Sequence, residues 1–375
     1  MVAVTQLVQQ QVFLPRTKGV QQTFSIPIRL PEMFVLFLSG PPELNPHYEA
    51  VRQEAERWIC NECSLDERSE RIFKKTDASY FCSIIVPDAA PEELRTVCDW
   101  GNWVFPFDDE FDNGGLRDDP ERAQELIDRL LGGMVDDEEP PMDDEYPLVR
   151  VHNSVWDRVR RGSPPGMLFE RPGCPGVRRR FAKTMGDYCN GALAQVCTCS
   201  SGQAPSLEET LAMRRQSAGV SPLFALVEYA LKLDLPDFVF ETRSIKEIER
   251  VAIDLVLLQN DILSYCKEER EGVTHNLVAA CRRSGMPAQM AFNYVGSMLI
   301  SRYRDWYLAL AELPSWGEQI DYEVQEYIRG VTNVVKANLD WSFHSRRYFG
   351  KASEIIRKTW MVAVQPQMAD VEPNM

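Results

Sequence analysis

Histidine is scarce in this 375-residue chain. Four are scattered at positions 47, 152, 275 and 344, and with the Cys197/Cys199 pair they give none of the spacings of a zinc site. No stretch reaches the ~18 apolar residues of a membrane span, and Met1 to Lys18 lacks a basic segment followed by an apolar core, so neither an integral membrane segment nor a secretory leader is expected. Basic charge is short as well. With 41 Lys and Arg against 56 Asp and Glu, the formal charge of −15 removes the footprint that nucleic acid requires. It leaves an anionic substrate possible, because divalent metals invert the sign of a local site. The ten cysteines are sparse for the length and sit mostly inside apolar or helical patterns, as Cys82, Cys98 and Cys266 do. Free thiols in a reduced, cytoplasmic protein are the expectation. Strand-type alternation and any repeat with a period of roughly 20 to 50 residues are also absent.

What is present is helical. Tyr48, Val51, Ala55, Trp58 and Ile59 recur at helical spacing, as do Leu94, Val97, Cys98, Trp100, Gly101, Val104 and Phe105 after Pro91. A segment from Glu67 to Ile85 reads as one helix, Ser206 to Glu209 as a capping box, and Ser244 to Lys267 as a long helix. The expected architecture is all-α, about ten to twelve helices in a single domain over residues 31–362. Residues 1–30 read as an N-terminal arm and 363–375 as a C-terminal tail.

Two polar stretches break out of this apolar pattern. The first is Asp108-Asp109-Glu110-Phe111-Asp112-Asn113, closed by Gly114-Gly115. Asp108 and Asp112 share a helix face, and the Gly pair marks this end as a C-terminus, where the helix dipole disfavours acid. Carboxylates placed so unfavourably point to a cation that neutralises them. The Asp136 to Glu145 run holds more carboxylates, but two prolines and no apolar periodicity make it a solvated loop. The second stretch follows Val251 to Leu258, where Asn260, Ser264 and Glu268 stand at i, i+4 and i+8, about 6 Å apart on one face. An amide oxygen, a hydroxyl and a carboxylate in a column suit a hard cation such as Mg²⁺. Between the two lies a helix carrying Arg214 and Arg215 and interrupted at Gly219; its break either aims a guanidinium at an anion or is an ordinary helix stop.

With these motifs the chain resembles a class I terpene cyclase, and is most similar to the fungal sesquiterpene synthases of mushroom-forming fungi (basidiomycete type). The resemblance covers about residues 25 to 350 and rests on Trp100 to Phe107, Asn260 to Glu268, Leu313 to Gly317 and Trp341 to Gly350. It implies a helical barrel around an apolar cavity, with metal motifs at Asp108, Asp109 and Asp112 and at Asn260, Ser264 and Glu268. It further implies three Mg²⁺ ions and farnesyl diphosphate as substrate. Arg347 and Tyr348 match a diphosphate-contacting pair, Lys267 a basic position that reaches the same group, and Arg215, in preference to Arg214, the upstream diphosphate-sensing arginine. Ala218 departs from a position that is often acidic or polar in bacterial relatives.

The implied reaction is departure of diphosphate to leave an allyl cation in a dry, aromatic cavity, with Phe105 and Trp341 as wall candidates and Tyr80 placed in the packing. Initial 1,10 ring closure is the expectation, with 1,11 closure the alternative. A chain-elongating prenyl transferase would carry a second aspartate-rich motif where this chain has Asn260, Ser264 and Glu268. A non-catalytic helical protein would make both donor motifs coincidental. Either a monomer or a homodimer is compatible with the sequence.

Overall fold

A computed structural model describes residues 25–134, 139–163, 176–202 and 204–370. Most of the expected arm, the end of the tail, the start of the acidic loop and the proline-rich segment at 164–175 lie outside the described residues.

Fifteen α-helices appear among the described residues. They are α1 (Tyr48–Glu62), α2 (Glu67–Phe73), α3 (Ala78–Ile85), α4 (Pro91–Asp112), α5 (Pro120–Gly132), α6 (Pro147–Gly162), α7 (Gly176–Ser201) and α8 (Leu207–Ser217). There follow α9 (Ser221–Ala230), the single turn α10 (Asp237–Phe240), α11 (Arg243–Glu271), α12 (Leu277–Arg283), α13 (Ala288–Ala311), α14 (Glu318–His344) and α15 (Ser353–Thr359). The all-α expectation therefore holds, with one addition. Strand β1 (Ile26–Arg29) pairs antiparallel with β2 (Met361–Val364), in the register Ile26 to Val364. Four residues are too few to show alternation against the background, and this ribbon ties the chain near its beginning to its end, across the boundaries drawn at 30 and 362.

The span read as one helix from Glu67 to Ile85 is two. Asp77 adopts left-handed φ (+49°) and its carboxylate accepts from Tyr80 N, so it caps α3 and stops the preceding turn. The Ser206/Glu209 capping box is complete in both halves.

Helix α4 starts on Pro91 with Glu92 and Glu93 in its first turn, favourable for the dipole. Trp100, Trp103, Phe107 and Phe111 form its buried stripe. A Cβ on Gly101 would lie 2.3 Å from Cys82 Sγ, so only glycine lets α4 and α3 approach this closely. Pro106 removes one amide donor two residues before the acidic cluster. Helix α11 packs against α13 on one side and α14 on the other, and α14 in turn packs against α3. Its buried Leu255, Val256, Leu257 and Leu258 hold the polar column that follows in the middle of the molecule. It ends at Gly272, whose φ of +71° is the left-handed stop that glycine supplies.

Candidate active site

A cavity of about 1040 Å³, including its open mouth, lies between α4, α8, α9, α11 and α14. Phe81, Trp100, Leu223, Leu257 and Trp341 form its buried apolar part. Asp108, Asp112, Asn260, Lys267, Glu268 and Arg347 line its partly exposed end. The two donor motifs, some 150 residues apart in sequence, thus share one cavity. An apolar cleft lies on another face of α4, beside Ile59, Pro106 and Leu126, but only Glu110 and Arg122 bring charge to it. Chemistry belongs with the converging donors.

Each carboxylate of α4 has its own partner. Tyr188 Oη donates to Asp108 Oδ1 in a short hydrogen bond, and Gln195 Nε2 donates to Asp112 Oδ1 at 2.5 Å. Tyr188 and Gln195 are i and i+7 on α7, so a single helix face supports both acids. Asp109 turns away and takes a bidentate pair from Arg347, Nη1 at 3.1 Å and Nη2 at 2.6 Å. The Arg347 guanidinium also lies 5.1 Å from the Phe105 ring centroid.

Across the cavity, Asn260 Oδ1 accepts from Arg214 Nη2 at 3.0 Å, and its Nδ2 donates to Tyr348 Oη at 2.7 Å. Glu268 Oε2 accepts from Asn276 Nδ2 at 2.8 Å. Ser264 Oγ is buried between them and makes no hydrogen bond of normal geometry. Lys267 Nζ reaches Glu271 Oε2 at 2.6 Å, which also accepts from Asn113 Nδ2 at 3.1 Å and so joins the ends of α11 and α4.

Adjacent arginines part company here. Arg214 lines the cavity and its Nε donates to Asp261 Oδ1 at 3.0 Å. Arg215, the residue expected to sense diphosphate, does not line it. Its guanidinium makes a bidentate pair with Asp254, Nε at 2.6 Å and Nη2 at 2.9 Å. The reason is rotational: consecutive helix residues point ~100° apart, and Asp254 lies two turns before Asp261 on α11, so each arginine finds its own carboxylate. Past them, Gly219 takes φ +66° between α8 and α9, and Ala218 and Gly219 both line the cavity.

The aromatic residues sort similarly. Phe105 stacks on Trp341 with centroids 4.7 Å apart, and Tyr348 meets Trp341 edge-on at 5.5 Å. Helix α14 ends at His344, so Tyr348 comes back to Trp341 through a turn and not along a continuing helix face. Tyr80 stacks on His344 at 3.8 Å and has no place in the lining.

Comparison with known proteins decides the family. Residues 99–305 match the family model described as terpene synthase family 2, C-terminal metal binding. The chain is 38% identical over 344 residues to the silphinene synthase of Penicillium patulum, with 89% of each chain covered. The chain belongs to the terpene synthase family. It is also 35% identical to a (+)-eremophilene synthase of Gibberella fujikuroi, covering 86% of this chain and 88% of that one, and 31% identical to sesquiterpene synthase 1 of Postia placenta, covering 88% and 93%. In fold it is similar to the linalool/nerolidol synthase from Streptomyces clavuligerus, with TM-score 0.69 at 21% identity, covering 84% of this chain and 100% of that one. This terpene synthase is thus a cyclase of the fungal class I type, and no helix among its described residues is long and apolar enough to cross a membrane.

The synthase's donor set fits a hard divalent cation. Burial, and next the charge of Asp112, push the Asp108 carboxyl up to about 8 against the Tyr188 hydrogen bond. Glu268 is pushed up to about 7 by burial and by Asp261, with Arg214 opposing. Asp112 is raised by burial, against the bond from Gln195. Such acids are poised to accept positive charge, and the buried Ser264 hydroxyl, beside Glu268, is a neutral oxygen donor among them. Among the described residues no three His, Cys, Asp or Glu side chains cage a metal by themselves.

Tyr188, Gln195 and Asn276 were not picked out as site residues from sequence. The i, i+7 spacing of the first two was visible in α7. Asn276 caps α12, accepting from Val278 N at 2.8 Å and Ala279 N at 3.1 Å, while its Nδ2 holds Glu268. Position alone, eight residues past Glu268, carried no such signal.

Proposed function

We propose that the protein is a sesquiterpene synthase that ionises farnesyl diphosphate with Mg²⁺ and cyclises the resulting cation. One observation carries the reading: two oxygen-donor motifs from α4 and α11 meet at one end of a cavity whose other end is buried and aromatic. That polarity matches a substrate with a diphosphate head and an apolar tail. The name of the Postia placenta relative, sesquiterpene synthase 1, supports the fifteen-carbon chain length.

In this reading Asp108 and Asp112 on one side, and Asn260, Ser264 and Glu268 on the other, hold the metal ions, three of them in the loaded site. Bound Mg²⁺ supplies Lewis acidity that stabilises the departing diphosphate. Arg214 takes the diphosphate-sensing role for which Arg215 was expected, because Arg214 faces the cavity and Arg215 faces Asp254. Lys267, Arg347 and Tyr348 donate to the same group, which requires Arg347 to exchange Asp109 for diphosphate, and Tyr348 to leave Asn260. Phe105 and Trp341 present π faces to the cation and exclude water from it. The first ring closure is assigned to 1,10 in preference to 1,11.

The test is gas chromatography with mass spectrometry of purified protein incubated with farnesyl, geranyl or geranylgeranyl diphosphate, with and without Mg²⁺. A Mg²⁺-dependent sesquiterpene supports the reading, and its skeleton discriminates between the two closures. A longer prenyl diphosphate as product would instead make the protein an elongating transferase.

A further inference from the structure

One polar side chain in the cavity lining belongs to neither motif. The other polar lining residues are donors, partners of donors, or the Ser217–His275 pair beside Arg214. Asn338 stands apart on α14, one turn before Trp341, and is 5% exposed. Its Nδ2 donates to Gln259 Oε1 at 2.9 Å and to the Val256 carbonyl at 3.3 Å, both on α11. With its donor group committed to α11, the carboxamide oxygen is the end left for the cavity. The Val256 carbonyl fixes that orientation, since reversing the amide would set two oxygens against each other. Gln259 is fully buried and leaves its own Nε2 without a partner. A buried donor left unmade costs stability that an apolar pair would keep, so packing alone does not account for the two amides.

We propose that Asn338 determines the product: its carboxamide oxygen, aimed by Gln259 and the Val256 carbonyl, stabilises a carbocation in the cyclisation and so selects the carbon that is cationic when the proton is lost. The proposal rests on the cyclase reading above. The oxygen acts as the negative end of a fixed dipole directed at developing positive charge, and its place is set before the reaction begins. No bond to it forms. An amide is too weak a base to keep the proton; the C–H electron pair closes the double bond next to the cationic carbon, and the released diphosphate takes the proton. Trp341 lines the same cavity, so an aromatic face and an oxygen dipole act on one volume.

The experiment compares wild type, Asn338→Leu and Gln259→Met in incubations with farnesyl diphosphate and Mg²⁺, reading total diphosphate release, product mixture and thermal midpoint. Asn338→Leu is expected to keep diphosphate release within about threefold, to melt slightly lower than wild type because the buried Gln259 amide loses its partner, and to lower the main product's share by at least about twofold in favour of another olefin. Gln259→Met, which frees the amide to rotate, should move the mixture the same way but less far. An unchanged mixture in Asn338→Leu at comparable release overturns the proposal, and so does a clear fall in melting temperature with loss of release, which would make the residue structural. Absence of release from any prenyl diphosphate by wild type would overturn the cyclase reading itself and the proposal with it.

Discussion

On the cavity side of the contact between α8 and α11, Arg214 reaches Asp261 and Asn260, and the acidic side chains around it outnumber the basic ones. Asp108, Asp109, Asp112, Asp261 and Glu268 stand against Arg214, Lys267 and Arg347. One residue further along α8, Arg215 enters a different cluster. There Asp254 accepts from Arg215, Arg250 and Arg302, while Glu247 pairs with Arg250 and Asp305 with Arg302. With Arg304 also 3.3 Å from Asp305, four cations meet three carboxylates, and no acid is left in excess. The two clusters share the same helices and the same residue types. What separates them is acid excess: the cluster with no spare acid is a finished structural joint, and the one whose excess acids are raised to about 8 at Asp108 and about 7 at Glu268 is incomplete until a cation arrives.

The sharpest way to break this contrast is Asn260→Ala, which removes a donor from the unbalanced side. Turnover should fall roughly 10²-fold or more with little change in stability. Wild-type turnover at saturating Mg²⁺ would remove Asn260 from the site. Asp254→Ala should do the reverse. Three guanidiniums lose their shared buried partner, so denaturant titration should show a loss of about 3 to 5 kcal/mol while the folded fraction stays active.

Acid separates the clusters more finely. Burial, then Arg214 and Arg283, hold the His275 imidazole well below its ordinary value, and Ser217 Oγ lies 2.8 Å from its Nε2. As pH falls below about 6.5 the unfolded chain takes a proton that the folded chain refuses, so this group's contribution to stability should drop by about 1 kcal/mol per pH unit. Asp254 behaves otherwise: burial works to raise its carboxyl, but Arg215 and Arg302 outweigh it and hold it low. Its contribution is present above about pH 3.9 and is lost only in stronger acid. Asp108 and Glu268, raised to about 8 and 7, take protons in the folded chain over the same range and work in the opposite direction, so the readout is the stability difference between wild type and His275→Gln in urea titrations from pH 7.5 to 5.5: it should shift against wild type as pH falls, and a constant difference would place the titration elsewhere. The smallest effect expected is that of Trp341→Leu, which should shift the product mixture by an amount worth about 1 kcal/mol without altering Mg²⁺ dependence, as product analysis over a Mg²⁺ series would show.

Much of this was legible in the sequence because helical period and motif spacing are local. The i, i+4, i+8 column of Asn260, Ser264 and Glu268, the acid at the wrong end of α4, and the capping box at Ser206 all depend on neighbours within a turn or two. Facing was harder to read. Arg214 and Arg215 are equivalent to any local rule, and only the position of Asp254 and Asp261 on a different helix tells them apart. The same limit hid Tyr188 and Gln195, whose partners lie about 80 residues away, and the ribbon of Ile26–Arg29 with Met361–Val364, which is short and joins distant segments. Asp77 shows another limit: a left-handed residue other than glycine split one apparent helix into two.

The most direct measurement is calorimetric titration of inorganic diphosphate at saturating Mg²⁺ into wild type, Arg214→Gln and Arg215→Gln. If the unbalanced cluster is the diphosphate site, Arg214→Gln loses most of the binding heat and affinity, while Arg215→Gln binds as wild type does and is only less stable. Intact binding in Arg214→Gln together with its loss in a folded Arg215→Gln would contradict the account and move the diphosphate contact to the other arginine.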